Sequence, residues 1–500
     1  MLYSRAMLES SQDEQSTIFP RTDEASPPAQ PSSSPTLPPP GATLHPWVTI
    51  VCTIVVAVML VNFLVFSGAS RVELLERPED SLERLVTREM DFCAAVNGLP
   101  GWQRDLALFI LGDEQTLQHS LRWSDQLAAQ ESASDQTQLE RIILMAEAGQ
   151  MDRVNTAIVP WEFKGEDQAR MLEWVRAAYL RAPDRPSGET MIAQVRETLP
   201  QNWFADTLVA RIAAAIGDRA EQSVAEASIV QRGEVLLHRR MVLAIFELIL
   251  LVFAAFSLGT ILAHRENVRI GEAPLPPFWT LPDGYGLFIR GVLGFLVIST
   301  AVSLYWPQET PLAALMTLLA GAPLLWWMRK YVTAHGWSLR EVFGLQWPSG
   351  GFRQVWKVVL VLVGLSVAGE FVMSVIVSVS NIPTDWTDGL LEDMLWGPAW
   401  IVASEAFDSI VWAPLIEEMA FRGVLYGTLR TKMGMWPAVF VSAAVFGFAH
   451  GYGIIGFGSV FWSGILWAVA YERTHSLIPG MLAHAVNNFL VTAGFLWIFR

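Results

Sequence analysis

Long apolar runs decide what this chain can fold into. Stretches of roughly 18 to 25 residues carry almost no charge, enough to cross a bilayer core of about 30 Å as a helix. The first covers residues 47–66, and from residue 241 onward the chain is nearly all of this kind. Overall, 52% of residues are hydrophobic and only 17% are charged, against about 25% charged in a soluble domain. The pattern predicts an all-α, polytopic membrane bundle with a polar helical portion attached. The 21 tryptophans suit the membrane–water boundary, where Trp is enriched.

Residues 1–45 are dominated by Pro and Ser ("SPPAQPSSSPTLPPPGATLHP") and read as a disordered tail. Residues 46–67 follow as a transmembrane anchor rather than a cleaved signal, because the polar stretch before them is too long. Residues 71–237 form a soluble domain whose apolar residues recur at helical spacing, as in "QLERIILMAEAG". A similar phrase recurs around Gly112, Gly149 and Gly217. The gaps, 149 − 112 = 37 and 217 − 149 = 68, are close to one and two periods of about 34, so a tetratricopeptide-like hairpin repeat is one reading and a plain helical bundle the other. This domain carries no catalytic constellation and suits a protein partner. The net charge of −15 arises largely there and argues against nucleic acid as a partner.

The membrane domain, 241–500, is expected to hold about eight spans, near 241–263, 286–305, 311–328, 355–379, 398–425, 434–450, 454–471 and 477–498. Basic residues follow alternate spans: Arg265, Arg269 and Arg290; Arg329, Lys330, Arg340 and Arg353; Arg430 and Lys432. By the positive-inside rule these loops are cytoplasmic. The soluble domain then lies outside, although Arg71, Arg77, Arg84 and Arg88 follow the anchor there; long domains cross regardless of charge.

Against this apolar background, charge stands out, because an ionisable residue in hydrocarbon is costly and marks a functional site by default. The stretch "APLIEEMAFRGVLYGTLR", residues 413–430, holds Glu417, Glu418 and Arg422. Residues four apart share a helix face, so Glu418 sits over Arg422 and the pair lowers the cost of both charges. Glu417 projects about 100° away. A carboxylate in an apolar surround without a cation has a raised pKa, which suits a proton acceptor near neutral pH. "FGFAH" (446–450) brings His450 to the end of the next span, and "HAVNN" (484–488) puts His484 and Asn488 on one face of the last. Together they supply a carboxylate, two imidazoles and an amide, which can activate water and stabilise an oxyanion. Each motif alone is more often structural; their conjunction on neighbouring spans argues for a site. Glu370, Glu405 and Asp408 read as structural or cavity-lining, and Glu472 and Arg473 as solvated.

Glu-Glu-x-x-x-Arg, then Phe-x-x-x-His, then His-x-x-x-Asn resembles the CPBP family of intramembrane proteases, which includes CAAX prenyl proteases of Rce1 type and bacteriocin-processing or Abi proteins. Its core spans about residues 350–498 of this chain. The resemblance implies a helical membrane fold with a cavity open to the cytoplasmic side, and peptide-bond hydrolysis of a peptide or membrane-protein substrate. Carried over by position, Glu417 and His450 activate the water, His484 and Asn488 stabilise the oxyanion, and Glu418 and Arg422 brace Glu417. It also implies a bacterial inner (plasma) membrane location.

The family has been labelled both glutamic and metalloprotease. Glu417, His450 and His484 could ligate zinc with an open fourth position. Asn488 is a poor zinc ligand and a good oxyanion donor, so a cofactor-free glutamate mechanism is favoured. No His-Glu-x-x-His motif occurs, and Cys52 and Cys93 make neither a disulfide framework nor a Cys-based zinc site. The alternative is a non-catalytic membrane scaffold or immunity protein that binds a partner through residues 71–237.

Overall fold

The computed structural model describes residues 44–66, 71–111, 116–129, 133–163, 165–264, 268–306, 310–347, 351–380, 382 and 385–500. The tail read over 1–45, apart from Leu44 and His45, lies outside the described residues, as do Gly112 and Arg265. The fold is all-helical, with no strand among the described residues.

Six helices are long and apolar enough to cross a bilayer: Arg219–His264, Leu281–Tyr305, Phe352–Val377, Ala399–Arg430, Ile454–Thr474 and Ile478–Phe499. The expectation of about eight differs for two reasons. The run at 311–328 is divided into Pro311–Leu319 and Ala322–Ala334, of 9 and 13 residues. Pro323 has no N–H to continue a ladder through this point, and Gly321 lets Ile416 approach so closely that a Cβ there would lie 2.8 Å from it. Met435–Ala449 has only 15 residues, about 22 Å of helix. Pro46–Phe66 is a 21-residue helix that packs along Leu281–Tyr305, with Cys52 and Val56 against Ile289.

The regions read from the sequence as a soluble domain, residues 71–237, and a membrane domain, residues 241–500, share one element. Arg219–His264 is a single 46-residue helix, about 69 Å long, so no linker separates them. Its first half closes the soluble core around Leu139, Ile143, Trp174, Leu208 and Ile212, all fully buried. Ser134 and Asn202 cap the helices Asp135–Glu147 and Trp203–Ala215 by accepting backbone N–H bonds. Gly149 and Gly217 follow those helices at φ 71° and 73°, a left-handed conformation that only glycine adopts without cost. Arg232 braces the crossing of three helices, donating to Asp91 at 2.8 Å and Asp206 at 2.6 Å.

The segment between Phe352–Ser380 and Ala399–Arg430 straps the soluble domain to the bundle. Trp386 is buried in the soluble core. Glu392 accepts from the backbone N–H groups of Glu76 (2.6 Å) and Arg77 (3.0 Å) and from the Ser81 hydroxyl (2.8 Å). Arg500 donates to the carbonyls of Met394 and Gly397 at 2.8 and 2.7 Å. At the other end of the bundle, Gly271 N–H bonds the Thr474 carbonyl (2.9 Å) and Trp279 Nε1 bonds Thr428 Oγ1 (3.0 Å). Glu472, read as solvated, is instead held there by the Tyr426 hydroxyl at 2.6 Å and by Arg430 at 2.9 Å.

Within the soluble domain, Glu79, Glu83 and Glu140 line a cavity of ≈ 10 Å³, room for one water. Burial, and then the neighbouring charge of Glu83, hold the Glu140 carboxyl well above the ordinary range. A carboxyl raised in the folded state stabilises the fold below its unfolded pKa, and that contribution is lost as pH rises through the folded value. Glu140→Gln removes the charge and is expected to raise the unfolding temperature of the chain at pH 7. At pH 4 the gain vanishes. Thermal unfolding of both forms at the two pH values checks this.

Candidate active site

The helix Ala399–Arg430 is not uniform. Residues Asp408–Trp412 and Glu418–Tyr426 are wound as π-helix on either side of the α-helical turn Ala413–Glu417. Such widened turns are rare and frequent at functional sites. The first has a local cause. Ala413 N–H bonds the Asp408 carbonyl, five residues back. The next bond in that register would run from residue 414 to the carbonyl of Ser409, but Pro414 has no N–H. A buried carbonyl needs a donor, and Asn488 Nδ2 supplies it at 2.8 Å. One N–H of Asn488 is therefore committed to holding the last helix against the glutamate helix, leaving the other.

Glu418 and Arg422 form an ion pair at 2.9 Å, with side chains 0% and 1% exposed. The guanidinium lies over the ring of Phe446 (4.1 Å to the centroid) and of Trp467 (5.0 Å), cation–π contacts that replace water around a buried cation. Two glycines make room for the pair. A Cβ on Gly480 would lie 3.0 Å from Glu418 Oε2, and one on Gly464 would lie 3.4 Å from Arg422 Nη2.

His484 joins the two glutamates. Its Nδ1 lies 3.2 Å from Glu418 Oε1 and its Nε2 lies 3.7 Å from Glu417 Oε2. The ring stacks on Trp467, with centroids 4.0 Å apart and planes 18° apart, and stands perpendicular to Phe446. A carboxylate only accepts, so Nδ1–H donates to Glu418 and Nε2 faces Glu417. Glu417 is the open member of the set: its side chain is 28% exposed, while Glu418, Arg422 and His484 are at 4% or less.

His450 ends the helix Met435–Ala449 and touches the same aromatic wall, its ring 4.7 Å from the Phe446 centroid. Its Nδ1 is 2.8 Å from the Phe446 carbonyl. A carbonyl cannot donate, so Nδ1 carries the hydrogen and, in the neutral ring, Nε2 keeps the lone pair. The turn after it is held by Asp388, whose carboxylate accepts from Gly453 N–H at 3.0 and 3.1 Å. The strap that enters the soluble domain through Trp386 thus also fixes the chain three residues past His450.

The structure brings Glu417, Glu418, Arg422 and His484 into direct contact, sets His450 one ring away, and ties Asn488 to the widened turn. Glu405 and Asp408 are half-buried on the same helix, and Glu370 accepts from Ser459 Oγ at 3.0 Å. Trp467, Ser409, Gly464 and Gly480 escaped the sequence reading. A tryptophan seven residues inside a span, away from the boundary, was the available signal for the first. For zinc the fit is poor. No three His, Cys, Asp or Glu side chains are grouped to hold a metal ion among the described residues.

Residues 398–490 match the family model described as type II CAAX prenyl endopeptidase Rce1-like. No curated protein matches the chain, and no solved structure does. The match encloses Glu417, Glu418, Arg422, His450, His484 and Asn488, and with the six spanning helices it makes this chain an integral, multi-pass membrane protein with an Rce1-like domain at residues 398–490.

Proposed function

We propose that this chain is an intramembrane endopeptidase that hydrolyses a peptide bond with a water activated by Glu417. One observation carries the reading: of two adjacent glutamates, one is sealed against an arginine and the other is open and 3.7 Å from an imidazole. Glu417 takes a proton from water as the water oxygen attacks the peptide carbonyl carbon. His450, its Nδ1–H spent on the Phe446 carbonyl, offers Nε2 as a second acceptor to that water. With its Nδ1–H held by Glu418, His484 gives the oxyanion its Nε2–H as the imidazolium, and the second amide hydrogen of Asn488 completes the pair. As the intermediate collapses and the C–N bond breaks, Glu417 returns its proton to the leaving amine. Glu418 and Arg422 hold the helix and His484 in place.

The same proposal places the basic loop residues, among them Arg329, Lys330, Arg430 and Lys432, in the cytoplasm of a bacterial inner membrane, with Pro46–Phe66 as an anchor and the soluble domain outside. The substrate is a peptide presented at the bilayer. Comparing membrane peptides from cells carrying the active chain and the Glu417→Ala chain tests the function: a set of cleaved products is expected to vanish with the glutamate. Identical peptide sets would end the proposal. Because no three acidic or imidazole groups among the described residues gather as a ligand triad, exhaustive chelation is expected to leave cleavage by the purified chain intact. Loss of activity restored by zinc would reverse that.

A further inference from the structure

The helix Gly101–Leu111 carries two apolar faces, and one of them stays largely exposed. Ala107, Leu108 and Leu111 pack on a cluster of Phe92, Val96, Leu236 and Leu237. Trp102, Leu106, Phe109 and Ile110 are 70%, 49%, 66% and 46% exposed. At about 100° per residue these four fall within one arc on the side away from that cluster. Arg104 lies opposite the arc and Asp105 at its edge, and the two pair at 3.4 Å. An exposed apolar face of this kind marks an interaction surface.

What covers it follows from its position. The Phe109 ring meets the Phe371 ring edge-on, with centroids 5.7 Å apart. Phe371 belongs to the spanning helix Phe352–Ser380, nine residues before its end, about 14 Å along the helix at 1.5 Å per residue. Phe371, Val372 and Ile376 are themselves 41%, 54% and 41% exposed on that helix, so the free face of the short helix continues the lipid-facing surface of the bundle. Arg240, on the long helix where it passes toward the bundle, holds the short helix at this level by donating to the Leu111 carbonyl at 3.3 Å. Its guanidinium lies 4.1 Å from the Phe92 centroid. With 11 residues, the helix is too short to cross and has the form of one that lies in the interface plane.

We propose that Gly101–Leu111 lies on the bilayer beside the bundle and seats Trp102, Leu106, Phe109 and Ile110 among the acyl chains, so that the soluble domain rides flush on the lipid. This inference is independent of the cleavage reading. It is tested on the full chain in proteoliposomes, in a Cys52→Ser, Cys93→Ser background. Single cysteines at Leu106, Phe109 and, as a water-facing control, Asp152 carry an environment-sensitive fluorophore. Labels at 106 and 109 are expected to lose fluorescence to doxyl groups on lipid tails and to be spared by aqueous iodide, with the reverse at 152. Iodide quenching at 106 and 109 equal to that at 152 would overturn the proposal. Shielding from both quenchers would also overturn it, by showing that protein, a second copy or a partner, covers the face. If Phe109→Cys does not fold, Trp102→Cys reports the same arc.

Discussion

Glu417→Gln is expected to abolish peptide cleavage while leaving the chain folded. The substitution keeps the size of the side chain and removes only its ability to take a proton. General acid–base groups contribute about 10² to 10⁴ in rate, and Glu417 acts twice in the proposed cycle, so turnover is expected to fall at least about 10³-fold. Stability is expected to change little, because the side chain is 28% exposed and has no arginine partner. The measurement is cleavage, in liposomes, of a peptide found by the cellular comparison, alongside thermal unfolding of both forms. Undiminished cleavage by Glu417→Gln would remove the residue from the chemistry and leave Glu418, His450 and His484 to be reconsidered.

Arg422→Met produces the opposite pattern: a large loss of stability. It leaves Glu418, at 0% exposure, as a buried carboxylate whose remaining partner is the Nδ1 of His484 at 3.2 Å. Removing one member of a buried pair typically costs about 3–5 kcal/mol, whereas replacing both by apolar or neutral groups of similar volume costs far less. The double variant Glu418→Gln, Arg422→Met is therefore expected to unfold at a higher temperature than Arg422→Met alone. The rings of Phe446 and Trp467, which now hold the guanidinium, are well suited to a methionine thioether. Equal unfolding temperatures for the single variant and the parent chain would show that the pair is incidental to the fold. Activity is expected to separate the two positions: Glu417→Gln is expected to be folded and inactive, whereas the double variant keeps Glu417 and, at residue 418, an oxygen that can accept from His484 Nδ1–H.

Hydrophobicity and helical period are properties of neighbours in sequence, so much was legible before any coordinates. The spanning runs, the sharing of a face by Glu418 and Arg422, and the separation of Glu417 from that face all depend on residues within two turns of one another. Two local features were also there to be found. Pro414 denies a hydrogen to the carbonyl of Ser409, and Pro323 with Gly321 interrupts the run at 311–328. Both follow from proline's missing N–H.

The tertiary structure decided what lies between distant segments. That His484 touches both glutamates, that Trp467 is a wall of the candidate site rather than a boundary marker, and that Asn488 serves a backbone carbonyl are results of packing helices against one another across 17 to 79 residues of sequence. No periodicity within a segment encodes those distances. The same holds for Trp386, which sits in an interhelical segment of the membrane domain yet is buried in the core of the soluble one. Sequence alone thus determined that these residues form helices, where most of those helices cross and which acid could pair locally. Packing alone determined which acid stayed open to its surroundings, because exposure belongs to the neighbours a fold assembles and not to the residue that they surround.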